Sequence, residues 1–311
     1  MTSVMLEARD VSRTFHVSRG FMRGKRPLRA VNGVSLSIAA GEVVALVGES
    51  GCGKTTLARM LLGLLPPSAG EIRIDGRPIG ALPRHEVARL VQPVFQDPYS
   101  SLNPRKSIGS IITLPLRVQR DPEPATWRKR VEEVMELVGL SRRLYDNFPS
   151  QLSGGQRQRD VSVQSQILNL LEDLRRTLGL TYLVISHNLA VVEHMASRVA
   201  VMYLGRIVEE APTDTLFSHP RHPYTEALLK SVLTPEPGRG IPDTNLGAAY
   251  PNPLDVPPGC SFHPRCSYAM PECSTRAPRR SMVGQVAVEC HLHDNTGGSA
   301  AGPNSCDRVL T

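Results

Sequence analysis

No run of about 18 apolar residues occurs in the 311-residue chain, so no segment reads as a membrane-spanning helix. The first residues, Met-Thr-Ser-Val-Met-Leu-Glu-Ala-Arg-Asp, lack a basic stretch followed by an apolar one, which argues against a secretory leader. Aromatic residues make up only 5% of the chain, too few for a platform that stacks bases. The net charge is +7, but the cations are scattered apart from Arg19, Arg23, Lys25, Arg26 and Arg29. This favours an ordinary solvated basic surface, or one facing anionic lipid headgroups, over a nucleic-acid partner. The expected place is the cytoplasm, and any membrane role requires a partner chain.

Glycine-rich turns carry the chemistry. Gly48-Glu49-Ser50-Gly51-Cys52-Gly53-Lys54-Thr55 follows the apolar run Val43–Val47 and precedes Thr56 and the periodic stretch Leu57–Leu62. That is strand, turn and helix, the context a phosphate-binding loop requires. Glycines let backbone N–H groups converge on phosphate oxygens, and the helix N-terminus adds partial positive charge. Lys54 reaches the β- and γ-phosphates in such a loop, and the Thr55 hydroxyl binds Mg²⁺.

Around this loop the pattern predicts an α/β fold. Strands are expected over residues 5–15, 34–38, 43–47 and 180–185, with the basic segment 16–29 as a loop. Residues 107–148 read as helical. A further helix carries Ile167, Leu168, Leu171, Leu174 and Leu178 and stops at Gly179. A hairpin turns at Gly205. After residue 235 the composition shifts to Pro, Gly and Cys, and the tail 294–311 has a disordered composition.

Three more features follow the phosphate loop in order. Gln96 ends a short apolar stretch. Leu152-Ser153-Gly154-Gly155-Gln156 is a second glycine-rich motif, and His187 follows Leu183-Val184-Ile185-Ser186. Together they resemble the ATP-binding subunits of ABC transporters. Gln96–Arg105, Arg221–Leu229 and Gly259–Cys266 are similar to stretches of the oligopeptide/dipeptide importer branch. The resemblance implies a P-loop ABC ATPase over 1–235, a helical subdomain at about 97–158, and an oligopeptide-type extension over 236–293. It also implies a second ATPase subunit in a homo- or heterodimer, two transmembrane permease subunits, and an extracytoplasmic solute-binding protein. The chain would then sit peripherally on the cytoplasmic face of the cell membrane.

In that arrangement ATP and Mg²⁺ bind at residues 48–56 and Gln96. Ser153, Gly154 and Gly155 contact the partner's ATP, Asp160 lies in the D-loop, and His187 holds the γ-phosphate and the attacking water. Phe15 is either the residue that stacks on adenine or a core aromatic.

One element of the family pattern is missing. Phosphoryl transfer needs a carboxylate on Mg²⁺ and usually a second to orient water. The family places Asp-Glu at the end of a buried strand, between the signature helix and the D-loop. Here Arg159 runs directly into Asp160-Val161-Ser162, so roughly two dozen residues, a helix and a strand, are expected to be absent at 159/160. Glu172-Asp173 follows two leucines but lies on a helical pattern, which puts it on a solvated face. Three readings stay open: a subunit with an impaired hydrolytic site, an unstable internally deleted product, or a nucleotide-gated binding module outside transport.

Four of the six cysteines, Cys260, Cys266, Cys273 and Cys290, fall in the extension. A reducing compartment argues against disulfides. Such extensions in this branch hold a [4Fe–4S] cluster; zinc and free thiols are the alternatives.

Overall fold

The structure, a computed structural model, describes residues 3–18, 25–95, 102–151, 160–231 and 251–294, with the side chains of 160–166 left aside. The tail 295–311 lies outside the described residues.

Val4–Ser18 (β1) and Lys25–Ala39 (β2) form a long antiparallel pair. The basic segment expected as a loop is therefore mostly strand: Thr14 faces Arg29, Phe15 faces Leu28 and Ser18 faces Lys25. Its charges and Pro27 are tolerated because β2 is an edge strand, where a missing N–H breaks no ladder and cations face water. Ala69–Ile74 (β4) pairs with the other side of β1, and Arg77–Pro78 (β5) completes a sheet of order β2-β1-β4-β5. Inward residues Leu6, Ala8, Val11, Val34, Leu36, Ile38, Ile72 and Ile74 are buried.

Val43–Val47 (β3) is buried at all five positions. Such a continuous apolar run belongs inside a sheet covered on both faces. It lies parallel to Tyr182–Ile185 (β6) and to Arg198–Tyr203 (β7). Arg206–Pro212 (β8) returns antiparallel to β7 through Leu204 and Gly205, both at positive φ, as a two-residue hairpin turn requires. The sheet then continues into the extension. Val286–Glu289 (β10) pairs with β8, and Arg280–Val283 (β9) forms the far edge, giving the order β6-β3-β7-β8-β10-β9. Fully burying each Val or Leu of such strands contributes about 1.5–3 kcal/mol before entropy is counted.

Helices Lys54–Leu61 (α1), Arg84–Leu90 (α2), Ile108–Val118 (α3), Trp127–Leu137 (α4), Asp160–Leu178 (α5), Leu189–Met195 (α6), Thr213–Ser218 (α7) and Pro223–Lys230 (α8) complete the regular structure. The segment expected to be helical over 107–148 is broken between α3 and α4. There Asp121 accepts from Trp127 Nε1 (3.0 Å), Arg130 Nη1 (2.7 Å) and Glu123 N, and Pro122 and Pro124 deny the helix donors. α5 ends at Gly179, at φ +65°, as expected.

The chain divides into two units. One comprises residues 1–61, 65–76 and 181–311; the other comprises 62–64 and 77–180. The second is wider than the expected subdomain and has its own small core of Ile108, Val131 and Met135. The extension belongs to the first unit, as part of its main sheet.

Candidate phosphate-binding site

The turn after β3 is built by close packing. A Cβ on Gly48 would lie 2.2 Å from the Met202 carbonyl oxygen, and one on Gly53 would lie 2.2 Å from that of Ala30. Both glycines have positive φ, +144° and +113°, so the loop is wedged between β2 and β7 in a shape other residues resist. The β7–β8 turn braces it: Gly205 N–H donates to the Cys52 carbonyl at 2.8 Å.

Lys54 opens α1 and curls back over the loop. Its Nζ donates to the carbonyls of Gly48 (2.7 Å) and Glu49 (2.8 Å) and lies 3.5 Å from Cys52 Sγ. The ammonium thus caps the cradle whose N–H groups would meet phosphate. Thr55 is exposed beside it at the first turn of α1, Thr56 is half-buried, and Ser50 and Gly51 are exposed. Cys52 is a buried filler, and burial pushes its thiol up. Glu49 is held from three sides. Its N–H donates to Tyr224 Oη (2.8 Å), its carbonyl accepts from Lys54, and its carboxylate pairs with Arg265.

Sequence reasoning missed Tyr224 and Arg265, although both lie within segments that resemble the importer branch. Tyr224 lies tilted against Tyr203, ring centroids 4.6 Å apart, and Tyr203 meets Phe262 edge-on at 5.4 Å, so an aromatic cluster backs the loop.

The other expected residues divide. His187 is exposed between β6 and the N-cap Asn188 of α6, at the same end of the parallel sheet as the loop. Phe15 is half-buried in β1, with the Arg13 guanidinium 4.9 Å from its ring centroid. Asp160 is the first residue of α5. Gln96 and the motif Leu152, Ser153, Gly154, Gly155 and Gln156 lie outside the described residues. Glu172 is tied to Arg175 (2.8 Å) and Arg176 (3.2 Å) on α5, and Asp173 is exposed, as a solvated helix face requires.

The structure gives no support for the expected metal centre at the cysteines. Cys273 and Cys290 are buried, and Cys260 and Cys266 are half-buried. Burial raises the Cys290 thiol to about 12, with added repulsion from Cys260, Cys266 and Cys273, and it raises Cys260 and Cys266 too. The thiols are neighbours, but a single ion such as zinc requires ligands that converge within a bond length of one point. Among the described residues, no group of three or more His, Cys, Asp or Glu side chains is placed to hold a metal ion. The [4Fe–4S] and zinc expectations for Cys260, Cys266, Cys273 and Cys290 therefore find no support in the geometry. The nearby histidines are committed elsewhere. His263 Nδ1 meets the Cys260 carbonyl, His293 Nε2 meets that of Arg221, and buried His291 bridges Asp294 and the Arg276 carbonyl.

Comparison with known proteins gives a consistent result. Residues 31–168 match the family described as ABC transporter, and residues 208–273 match the oligopeptide/dipeptide transporter C-terminal region. A probable peptide ABC transporter ATP-binding protein of Sinorhizobium fredii is 41% identical, covering 98% of this chain and 94% of its own. That alignment spans 336 residues, more than the 311 of this chain, so residues of the relative face gaps here. The di/tripeptide transport ATP-binding protein DppF of Pseudomonas aeruginosa is 42% identical over 92% of this chain and 97% of its own. Among solved structures, a dimeric ATP-binding cassette in a post-hydrolysis state bound to ADP and Pi aligns with TM-score 0.56 and 25% identity. It covers 67% of this chain and 99% of its own.

Proposed function

The chain belongs to the ATP-binding subunits of ABC transporters, of the oligopeptide/dipeptide importer type, and from that premise we propose that it binds ATP without hydrolysing it at its own site. The cradle is Gly48–Thr55. Lys54, already poised over the loop, would exchange its carbonyl partners for phosphate oxygens. Thr55 and Gln96 would hold Mg²⁺, which neutralises charge on the phosphates. Ser153, Gly154 and Gly155 would complete the ATP site of a second subunit, and His187 would face the γ-phosphate.

One observation carries the hydrolytic reading: β6 has an open edge. Among the described residues it pairs only with β3, and Tyr182, Leu183, Val184 and Ile185 are only half-buried. A parallel strand with this composition normally has neighbours on both sides. Among the described residues the apolar stretch 91–95 has no strand pairing, and Val94 and Phe95 are 78% and 61% exposed. An open edge is expected of a strand that would flank the one bearing the Asp-Glu pair, and an alignment with the Sinorhizobium relative longer than this chain is compatible with the same omission. The same open edge also favours a second reading, an internally deleted product of low stability.

In the cell the subunit would work peripherally at the cytoplasmic face of the membrane, with a second ATPase subunit, two permeases and a solute-binding protein delivering peptide. Among the described residues no helix is long and apolar enough to cross a membrane. The proposal is tested by co-purification from membranes and by turnover of the reconstituted pair. Gly154→Asp in this chain is expected to lower the partner's ATP turnover about tenfold or more. Full turnover by the pair carrying that substitution would contradict it.

A further inference from the structure

The extension touches the nucleotide cradle at one buried ion pair. Arg265 ends a short helical turn, His263–Arg265, and lies between the Cys260 and Cys266 segments. Its side chain is only 4% exposed. Nη1 donates to Glu49 Oε2 at 2.8 Å and Nη2 to Glu49 Oε1 at 3.0 Å, a two-pronged pairing that Lys could not reproduce. Tyr203 Oη stands 3.5 Å from Nη1, and the pairing with Glu49, helped by Tyr203, holds the guanidinium firmly charged.

Glu49 is an awkward residue for its place. It sits in a loop whose task is to surround an anion, and a carboxylate there opposes one. We propose that Arg265 is a positioning residue for ATP binding: it neutralises the Glu49 carboxylate and ties it to the extension, so the extension sets the loop's affinity for nucleotide.

Three features make the pair more than packing. Glu49 is the loop residue whose N–H and carbonyl are also fixed, by Tyr224 and Lys54, so pulling its side chain sets the shape of the loop. Tyr224, Tyr203 and Phe262 form a rigid backing that orients the guanidinium. The turn bearing Arg265 is in turn pinned through the extension. Cys260 N–H donates to the Cys273 carbonyl at 2.8 Å, and a Cβ on Gly259 would lie 2.4 Å from that same oxygen. Removing Arg265 leaves an uncompensated, partly buried negative charge at the phosphate site.

The inference rests on Gly48–Thr55 being the ATP cradle, and the test separates the two. ATP binding in the presence of Mg²⁺ is titrated calorimetrically for the full chain and for Lys54→Ala, Arg265→Met, Arg265→Lys and Glu49→Gln/Arg265→Met, each with its melting midpoint. Arg265→Met is expected to weaken ATP binding about tenfold or more. Arg265→Lys should fall between it and wild type. The double variant should recover most of the loss, because the repelling charge is gone, and a merely structural role would not produce that rescue. If Arg265→Met does not fold, the double variant and Arg265→Lys carry the comparison: wild-type affinity in Arg265→Lys with tenfold weaker binding in the double variant overturns the inference. Loss of binding in Lys54→Ala with wild-type affinity in Arg265→Met overturns it alone. Undiminished binding in Lys54→Ala overturns the cradle on which it stands.

Discussion

At the scale of single residues, the phosphate loop was readable because its glycines answer to sterics that sequence spacing records. Gly48 and Gly53 sit where a Cβ would collide with backbone oxygens of Met202 and Ala30. What spacing does not record is the distant side chain that completes the loop. Arg265 lies 216 positions from Glu49, and no periodicity links them. His222 was invisible for a related reason: its role depends on burial. It caps α8, accepting from Tyr224 N–H through Nδ1, and full burial lowers its pKa to about 3 from 6.5. The folded state therefore binds fewer protons than the unfolded chain between pH 6.5 and 3, and stability falls as pH drops through that window. Neighbouring Glu209, whose carboxyl burial pushes up, acts in the opposite sense above the usual Glu range. The difference between wild type and His222→Asn, which keeps a capping acceptor, isolates the histidine. Melting curves from pH 7 to 4 should be flatter for the variant, by roughly a few kcal/mol over the window; parallel curves would deny His222 this role.

At the scale of elements, strands with strong apolar runs were legible and those set by partnership were not. β3, β6 and the β7–β8 hairpin fall where the pattern puts them. The 16–29 segment does not, because its basic charge and glycines suggest a loop while the edge of a sheet accepts such charge. The extension showed only its cysteines, since β9 and β10 are four residues each and gain their stability from pairing with β8. Ala287 faces Glu210 there and is buried. Glu210 also takes both Arg198 and Arg280, joining β7, β8 and β9. Ala287→Pro removes a ladder N–H from an interior strand and should cost about 3 kcal/mol. Its melting midpoint should fall, and limited proteolysis should open the segment after residue 231. If the midpoint is unchanged, the extension is an appendage and not part of the sheet.

At the scale of the whole molecule, the sequence and the fold converge on the ATP-binding subunit of an ABC transporter. Order among the motifs made the family readable, because a phosphate loop followed by Leu152–Gln156 and then His187 is a long-range pattern written linearly. The proposed loss of a strand rests in the sequence on a break in that order at 159/160. Its physical counterpart is the half-exposed edge of β6. On the proposed function, the cradle should capture ATP and stop there, because phosphoryl transfer needs carboxylates for Mg²⁺ and water. The most direct test is to measure ATP binding and Mg²⁺-dependent ATP turnover on one sample of the purified chain. Saturable binding, abolished by Lys54→Ala, with little or no turnover is the result expected. Robust turnover that disappears in Lys54→Ala would contradict it.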